Sequence, residues 1–178
     1  MKPIESGAFT TADLELLPDD GMRYELVDGV LLVTPTSSRI HQRTLGQLCL
    51  RLGPACPEDL EVFPGPLAFR PTSRLVLLPD LLVVRCDDAA RRWIEEPLLL
   101  AVEILAPATR TSDQLLKRKL YEETRVASYW MLSPQDATLT VLELEDGLYV
   151  ERAVVCGDEA FEAEVPFPVK VVPAEVIR

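Results

Sequence analysis

Apolar and polar positions change their spacing several times along the chain, and each change predicts a new element. The segment 11–17 has helical spacing after a Thr10 or Thr11 cap and stops at Pro18-Asp-Asp-Gly. Two runs of strand type, 23–27 and 30–33, then flank Asp28-Gly29. Asp-Gly between two such runs is a strong signal for a tight turn, so a β-hairpin is predicted here.

The next apolar stripe predicts a helix that starts after Ser37 or Ser38 and ends near Leu52. Its inward positions recur with helical spacing and are His41, Leu45, Leu48 and Leu52. A second helix is predicted from Thr111 to about Thr124, with Leu116 and Leu120 facing inward.

The other apolar runs predict strands at 61–69, 75–84, 98–105, 129–132, 138–144 and 148–155, with a turn at Asp146-Gly147. No repeat or long linker divides the chain. The order of elements predicts an α/β (α+β) fold: one domain, residues 1–178, in which helices flank a mixed β-sheet and a β-hairpin lies near the N-terminus.

Composition excludes several classes of protein. The chain has 178 residues, of which 48% are hydrophobic and 26% charged, values typical of a globular domain. No apolar run reaches the roughly 18 residues that a bilayer span needs, and the first residues lack the features of a signal peptide. We therefore expect a cytoplasmic protein with no membrane partner. The 4 cysteines are scattered, which predicts reduced thiols rather than disulfides or a zinc site.

The net charge of −11 argues at first against nucleic acid, because a protein that binds phosphates needs a local cationic surface. The charge is unevenly distributed, however. Residues 126–178 contain 10 acidic and 3 basic side chains, whereas no acidic residue lies between Gly29 and Pro57. Acidity is thus concentrated towards the C-terminus.

Three acids, Glu25, Asp80 and Glu103, lie within or against apolar strands, where an unpaired carboxylate is costly. Antiparallel pairing would bring Asp80, at the start of one strand, beside Glu103, near the end of the next. Two such carboxylates can share a hard cation such as Mg²⁺. The simpler interpretation is a solvated or salt-bridged acid, which is the more common case for Asp80 alone, whereas Glu103 lies deeper in its apolar run.

Lys117 supplies a candidate cation for these acids, because it lies four residues before Tyr121 on one flank of the second predicted helix. A lysine there could orient or help deprotonate a water molecule. The simpler alternative is an exposed ion pair between Lys117 and Asp113.

These residues occur in an order that resembles the Uma2 family, once labelled domain of unknown function 820, within the PD-(D/E)xK restriction-endonuclease-like superfamily. The resemblance runs from about Leu14 to Ile177. It rests on Tyr24-Glu-Leu-Val-Asp-Gly, Ser38-Arg-Ile-His-Gln, Pro79-Asp80, Val102-Glu-Ile-Leu-Ala-Pro-Ala-Thr-Arg, and Lys117-x-x-x-Tyr121 leading to Ser128-Tyr-Trp.

The resemblance implies Mg²⁺ or Mn²⁺ held by Asp80 and Glu103, with Glu25 and Lys117 completing the catalytic set. Glu25 would orient the lysine or reach the metal through water. The usual lysine two residues after the second acid is absent, since Leu105 stands there, and Lys117 matches a helix position that replaces it in this family. Arg125 stands where the family commonly has glycine.

The resulting hypothesis is a metal-dependent endonuclease acting on nucleic acid, with DNA the expected substrate and a homodimer expected by analogy. Candidate phosphate contacts are Arg39, His41, Arg43, Arg70, Arg74 and Arg110. His41 is more often a packed, hydrogen-bonded residue in such a position, and Tyr121, Tyr129 and Trp130 are interpreted as core. Two alternatives stay open: an inactive nuclease-fold module for binding or assembly, and a purely structural network of buried acids with Lys117.

Overall fold

Two large β-sheets form the framework of the computed structural model, which describes residues 2–4, 9–35, 37–86, 92–106 and 113–178. In chain order the elements are β1 (Lys2–Ile4), α1 (Thr11–Leu14), β2 (Arg23–Val27), β3 (Val30–Thr34), α2 (Arg39–Leu52), β4 (Leu60–Pro64), β5 (Phe69–Thr72), β6 (Leu75–Leu77), β7 (Leu81–Arg85), β8 (Leu100–Ile104), α3 (Arg118–Glu123), β9 (Ser128–Ser133), β10 (Thr138–Glu145), β11 (Leu148–Cys156), β12 (Phe161–Ala163), β13 (Val169–Val171) and α4 (Pro173–Ile177). A 3₁₀ turn (Gly53–Ala55) follows α2, and a π turn (Asp113–Lys117) precedes α3.

The five-stranded sheet has the order β1-β3-β2-β6-β5, and its neighbouring strands run antiparallel. Its centre is the predicted hairpin of β2 and β3. Asp28 and Gly29 both have positive φ, at 50° and 85°, which is the conformation that an Asp-Gly turn favours. The hairpin prediction is confirmed.

The six-stranded sheet has the order β11-β10-β9-β8-β7-β4. Strands β8 and β9 run parallel while the other neighbours run antiparallel, so this sheet is mixed. The buried leucines of α2 pack in one core cluster with Leu81 and Val102, and residues of α3 pack in a second cluster with Leu82 and Ala101. Helices therefore flank the mixed sheet, which confirms the predicted fold class.

The predicted strand 75–84 is wrong as a single element, because it divides at Leu78-Pro79-Asp80. Strand β6 belongs to the five-stranded sheet and β7 to the six-stranded sheet. Pro79 has no N–H to donate to a ladder and restricts the residue before it, so the apolar run cannot continue as one strand. The predicted run 61–69 divides in the same way, with β4 and β5 in different sheets. The chain thus crosses between sheets at Asp80.

The second predicted helix contains a π turn, Asp113–Lys117, where the sequence predicts regular α-helix. Residues 107–112, which include Arg110 and the predicted cap, lie outside the described residues. The π turn and α3 follow, and Lys117 lies where they meet. Single π turns recur at functional sites. None of the helices in the described ranges is long and apolar enough to cross a bilayer.

Candidate active site

Asp80 lies at the crossing between the two sheets, directly before β7. The Asp80 backbone N–H donates to the carbonyl of Val102 (3.0 Å), and Leu81 pairs with Val102 in the antiparallel register. The Asp80 carboxylate in turn accepts the backbone N–H of Ile104 (2.8 Å), so Asp80 is bonded to β8 on both sides of Glu103. Both acids are only 4% exposed. Asp80 and Glu103 therefore lie at the same end of two adjacent strands.

Both carboxylate oxygens of Asp80 accept contacts from the protein. Arg23 Nη1 lies 2.8 Å from Oδ1, whereas His41 Nε2 (3.0 Å) and the backbone N–H of Ile104 (2.8 Å) approach Oδ2. Burial alone would raise the pKa of Asp80, but the hydrogen bond with His41 and the charge of Arg23 outweigh it and lower the pKa to about 2. Asp80 is therefore ionised at neutral pH.

Arg23 binds Asp80 from the first strand of the hairpin. Its Nη1 donates to Asp80, its Nη2 donates to the carbonyl of Leu78, and its buried Nε has no hydrogen-bond partner within the described ranges. Burial favours loss of its proton, but the negative charge of Asp80 has the opposite effect and the pKa of Arg23 is raised. Arg23 is thus a permanent cation against Asp80.

Lys117 lies between the other two acids. Its Nζ is 2.8 Å from Oε1 of Glu103 and 3.2 Å from Oε1 of Glu25. The same oxygen of Glu25 accepts the backbone N–H of Leu78 (2.8 Å), which fixes it beside the crossing segment. The structure therefore brings together Glu25, Glu103 and Lys117, as expected. For Asp113, the alternative partner of Lys117, the structure describes the backbone and not the side chain.

Tyr121 contributes a further donor that sequence reasoning assigned only to the core. Its hydroxyl donates to Oε1 of Glu103 (2.7 Å), and its ring lies 4.9 Å from that of Tyr129 between centroids. Complete burial and the charge of Glu103 raise the pKa of Tyr121 well above its ordinary value, so the hydroxyl keeps its proton. The signal for this role was the four-residue spacing from Lys117.

The residues fit a hard divalent cation by their chemistry. Carboxylate oxygens from two adjacent strands are the ligands that Mg²⁺ prefers, and Mg²⁺ commonly takes only one or two from the protein and completes its shell with water. In the described parts of the chain, no three His, Cys, Asp or Glu side chains are grouped so as to hold a metal by themselves. Asp80 and Glu103 could therefore hold such an ion only together with solvent.

The predicted phosphate contacts occupy different environments. Arg39 and Arg43 are exposed on α2, one turn apart, whereas His41 between them turns inward to Asp80. Arg70 lies 3.3 Å from Glu15 and stacks on Trp93, and Arg74 donates to the carbonyl of Asp28. Arg110 lies outside the described residues. His41 is thus packed and hydrogen-bonded, which was the favoured interpretation.

Arg23, like the hydroxyl of Tyr121, is a part of the site that the sequence prediction missed. The sequence contained one indication that Arg23 belongs to the site. Arg23 and Glu25 are two positions apart on β2 and therefore share one face of the strand. An arginine at the start of a hairpin strand is common, however, and its partner Asp80 lies 57 positions away. Only the tertiary structure could connect them.

Comparison with known proteins agrees with this architecture. A family model described as "Uma2: Putative restriction endonuclease" matches residues 11–174. A crystal structure described as "a putative nuclease belonging to DUF820", from Anabaena variabilis ATCC 29413, is similar with a TM-score of 0.70 and 14% sequence identity, and the match covers 95% of this chain and 97% of that chain. At this identity the similarity shows a shared fold. No curated protein matches the chain.

Proposed function

This chain belongs to the Uma2 family, and from that premise we propose that it is a metal-dependent endonuclease that hydrolyses phosphodiester bonds in DNA. The observation that carries the proposal is the buried pairing of Lys117 with Glu103 and Glu25 next to Asp80. Such a concentration of buried charge is costly to keep for stability alone, because apolar residues of similar volume often serve as well. A catalytic task accounts for it.

Asp80 and Glu103 are the residues that would hold Mg²⁺ or Mn²⁺. When bound, the cation supplies a Lewis acid that draws electron density from a phosphate oxygen. The lowered pKa of Asp80 supports this assignment, because the carboxylate is already ionised at neutral pH. His41 and the N–H of Ile104 fix its orientation.

Lys117 is the catalytic cation of the proposal. Its ammonium stabilises the negative charge that develops on the phosphate, or orients the attacking water, because a fixed charge in a site of low dielectric requires little reorganisation. Glu25 and Glu103 hold the Nζ atom in place. Tyr121 in turn fixes Glu103 through its hydroxyl.

The test is cleavage of plasmid DNA and of labelled oligonucleotides by the purified protein with Mg²⁺ or Mn²⁺. Asp80→Ala, Glu103→Ala and Lys117→Met should each reduce the rate by about 100-fold or more, the order found when one preorganised electrostatic group is removed. Arg152→Gln is a matched control, because Arg152 on β11 pairs with Glu143 on β10, outside the site. Cleavage that survives Asp80→Ala or Glu103→Ala would overturn the assignment.

A homodimer and a cytoplasmic location accompany the proposal. Nucleases of this fold commonly pair so that each copy cuts one strand, and most soluble oligomers are symmetric. Sedimentation at micromolar concentration tests the dimer. A monomer that still cleaves both strands would contradict it.

A second candidate is a nuclease-fold module that binds or assembles without cutting. One observation favours it, namely that both oxygens of Asp80 already have protein partners. Calorimetric titration with Mn²⁺ discriminates between the two, because a binding module has no need to hold the ion. Binding that is lost in Asp80→Ala supports the nuclease, and absence of binding supports the module.

A further inference from the structure

The two oxygens of Asp80 are held in different ways. Oδ2 accepts the backbone N–H of Ile104, which is part of β8, and also contacts His41. The described contact of Oδ1 is with the side chain of Arg23. A backbone donor within a sheet is fixed, whereas a side chain can change rotamer. Oδ1 is therefore the oxygen that can be released.

The side chain of Arg23 can move away from Asp80. Its second anchor is the carbonyl of Leu78, which does not depend on Asp80, and its side chain is 22% exposed where that of Asp80 is only 4% exposed. Its Nε has no hydrogen-bond partner within the described ranges, so the present position of the guanidinium is incompletely satisfied. Movement towards solvent would allow water to hydrate that group.

Lys117 is less able to move. Its side chain is 6% exposed and contacts two carboxylates at once. Arg23 also experiences the charges of Glu25 and Glu103, so the three acids and two cations form one electrostatic unit. A divalent cation that enters this group of charges repels both Lys117 and Arg23. Of the two, Arg23 is the side chain that can move away.

We propose that Arg23 is a positioning residue that holds Asp80 in the metal-free protein and competes with a divalent cation for Oδ1. The inference rests on the proposed function, since it concerns how the same site admits its metal. The internal cation keeps a buried carboxylate paired when no metal is bound. It also weakens metal binding by the free energy needed to displace it.

Arg23→Gln tests the competition, with Arg152→Gln as the control for loss of a strand arginine that pairs with a carboxylate. Calorimetry or manganese paramagnetic resonance gives the Mn²⁺ affinity of each protein. Removal of a charged hydrogen-bond partner should strengthen Mn²⁺ binding by on the order of tenfold in Arg23→Gln, and Arg152→Gln should match wild type. A purely structural role would lower stability without raising affinity.

A second measurement uses the wild-type protein, in case Arg23→Gln does not fold. The side-chain resonances of Arg23, identified by their loss in Arg23→Lys, should shift when Mg²⁺ saturates the site. Equal or weaker Mn²⁺ affinity in Arg23→Gln, or resonances that do not move, would overturn the competition and leave the proposed nuclease intact. Failure of wild type and Arg23→Gln alike to bind Mn²⁺ would overturn both.

Discussion

Lys117 is a positive side chain in direct contact with two buried carboxylates. Glu25 also accepts the N–H of Leu78, and Glu103 also accepts the hydroxyl of Tyr121. A neutral donor does not offset the cost of burying a negative charge as an ammonium does. The residue is therefore structural as well as catalytic in the proposal.

Lys117→Met should lower the free energy of unfolding by about 3 kcal/mol, because removing one partner of a buried ion pair leaves the others uncompensated. Urea unfolding measures the change. Lys119→Met is the matched control, since Lys119 lies two residues away, is 71% exposed and pairs with the exposed Glu123 at 3.6 Å. In that control the free energy of unfolding should fall by less than about 0.5 kcal/mol. Equal losses in the two variants would contradict this role for Lys117.

At low pH, the free energy of unfolding should depend on the ionisation of Asp80. Its pKa falls from 3.8 to about 2 on folding, so the unfolded chain binds more protons between these values. The contribution is fully present above pH 3.8, is lost as the pH falls through about 2, and amounts to about 2 kcal/mol.

The measurement is urea unfolding of wild type and Asp80→Asn between pH 2.5 and pH 6. The stability advantage of wild type should shrink steadily below pH 4. A constant difference across that range would show that the charge of Asp80 contributes nothing to folding.

At this scale the sequence was informative wherever a residue conflicted with its surroundings. Glu103 interrupts a buried strand, and Glu25 and Asp80 border apolar runs, so all three could be predicted. Arg23 could not, because nothing local conflicts with an arginine there. Arg125 has a φ of 61°, in the left-handed region that favours glycine.

Among the elements, the segment that joins β6 to β7 positions the site. Leu78 offers its N–H to Glu25 and its carbonyl to Arg23, and Asp80 follows two residues later. Gly65, directly after β4, packs against this segment and donates its N–H to the carbonyl of Asp80 at 2.7 Å. A Cβ at Gly65 would lie 2.5 Å from the carbonyl oxygen of Pro79.

Gly65→Ala should therefore force the crossing segment away and lower both stability and Mn²⁺ affinity. We expect a loss of about 2 kcal/mol, typical of overpacking against backbone. Gly46→Ala is the control, because Gly46 is exposed on α2 and no described residue outside its own helix backbone comes within 4 Å of an added Cβ. That change should stabilise the protein by about 0.5–1 kcal/mol, since alanine favours the helix. Wild-type Mn²⁺ affinity in Gly65→Ala would refute the positioning role.

The elements with strong local signals were predicted well. The Asp28-Gly29 hairpin and α2 have the expected positions, because turn chemistry and helical spacing act over a few residues. The division of 75–84 between two sheets was missed, although Pro79 marks the break. Which sheet a strand joins depends on long-range pairing, and periodicity within the strand carries no information about it.

For the whole molecule, the distribution of charge matters more than its total of −11. Residues 126–178 hold most of the excess acid, whereas α2 presents Arg39 and Arg43 to solvent beside the helix turn that places His41 on Asp80. Under the proposed function, DNA would approach from the α2 side, and its binding should be weak, sensitive to salt and dependent on a divalent cation.

The double variant Arg39→Gln/Arg43→Gln should bind a fluorescent DNA duplex more weakly. The slope of log affinity against log salt concentration should become shallower by about 2, since each phosphate contact contributes about 0.9 to that slope. Fluorescence anisotropy with Ca²⁺ in place of Mg²⁺ measures binding apart from cleavage. Arg152→Gln is again the control. An unchanged salt slope would exclude α2 from the interface.

Tyr121 gives the site an optical reporter. Its hydroxyl donates to the same oxygen of Glu103 that Lys117 contacts, and its ring lies beside that of Tyr129. The near-ultraviolet absorption of a phenol shifts with the strength of its hydrogen bond, so any event that changes the charge around Glu103 should appear in the tyrosine difference spectrum. The arrival of an ion at this edge of the sheet can thus be followed in unlabelled protein, with Tyr121→Phe as the blank.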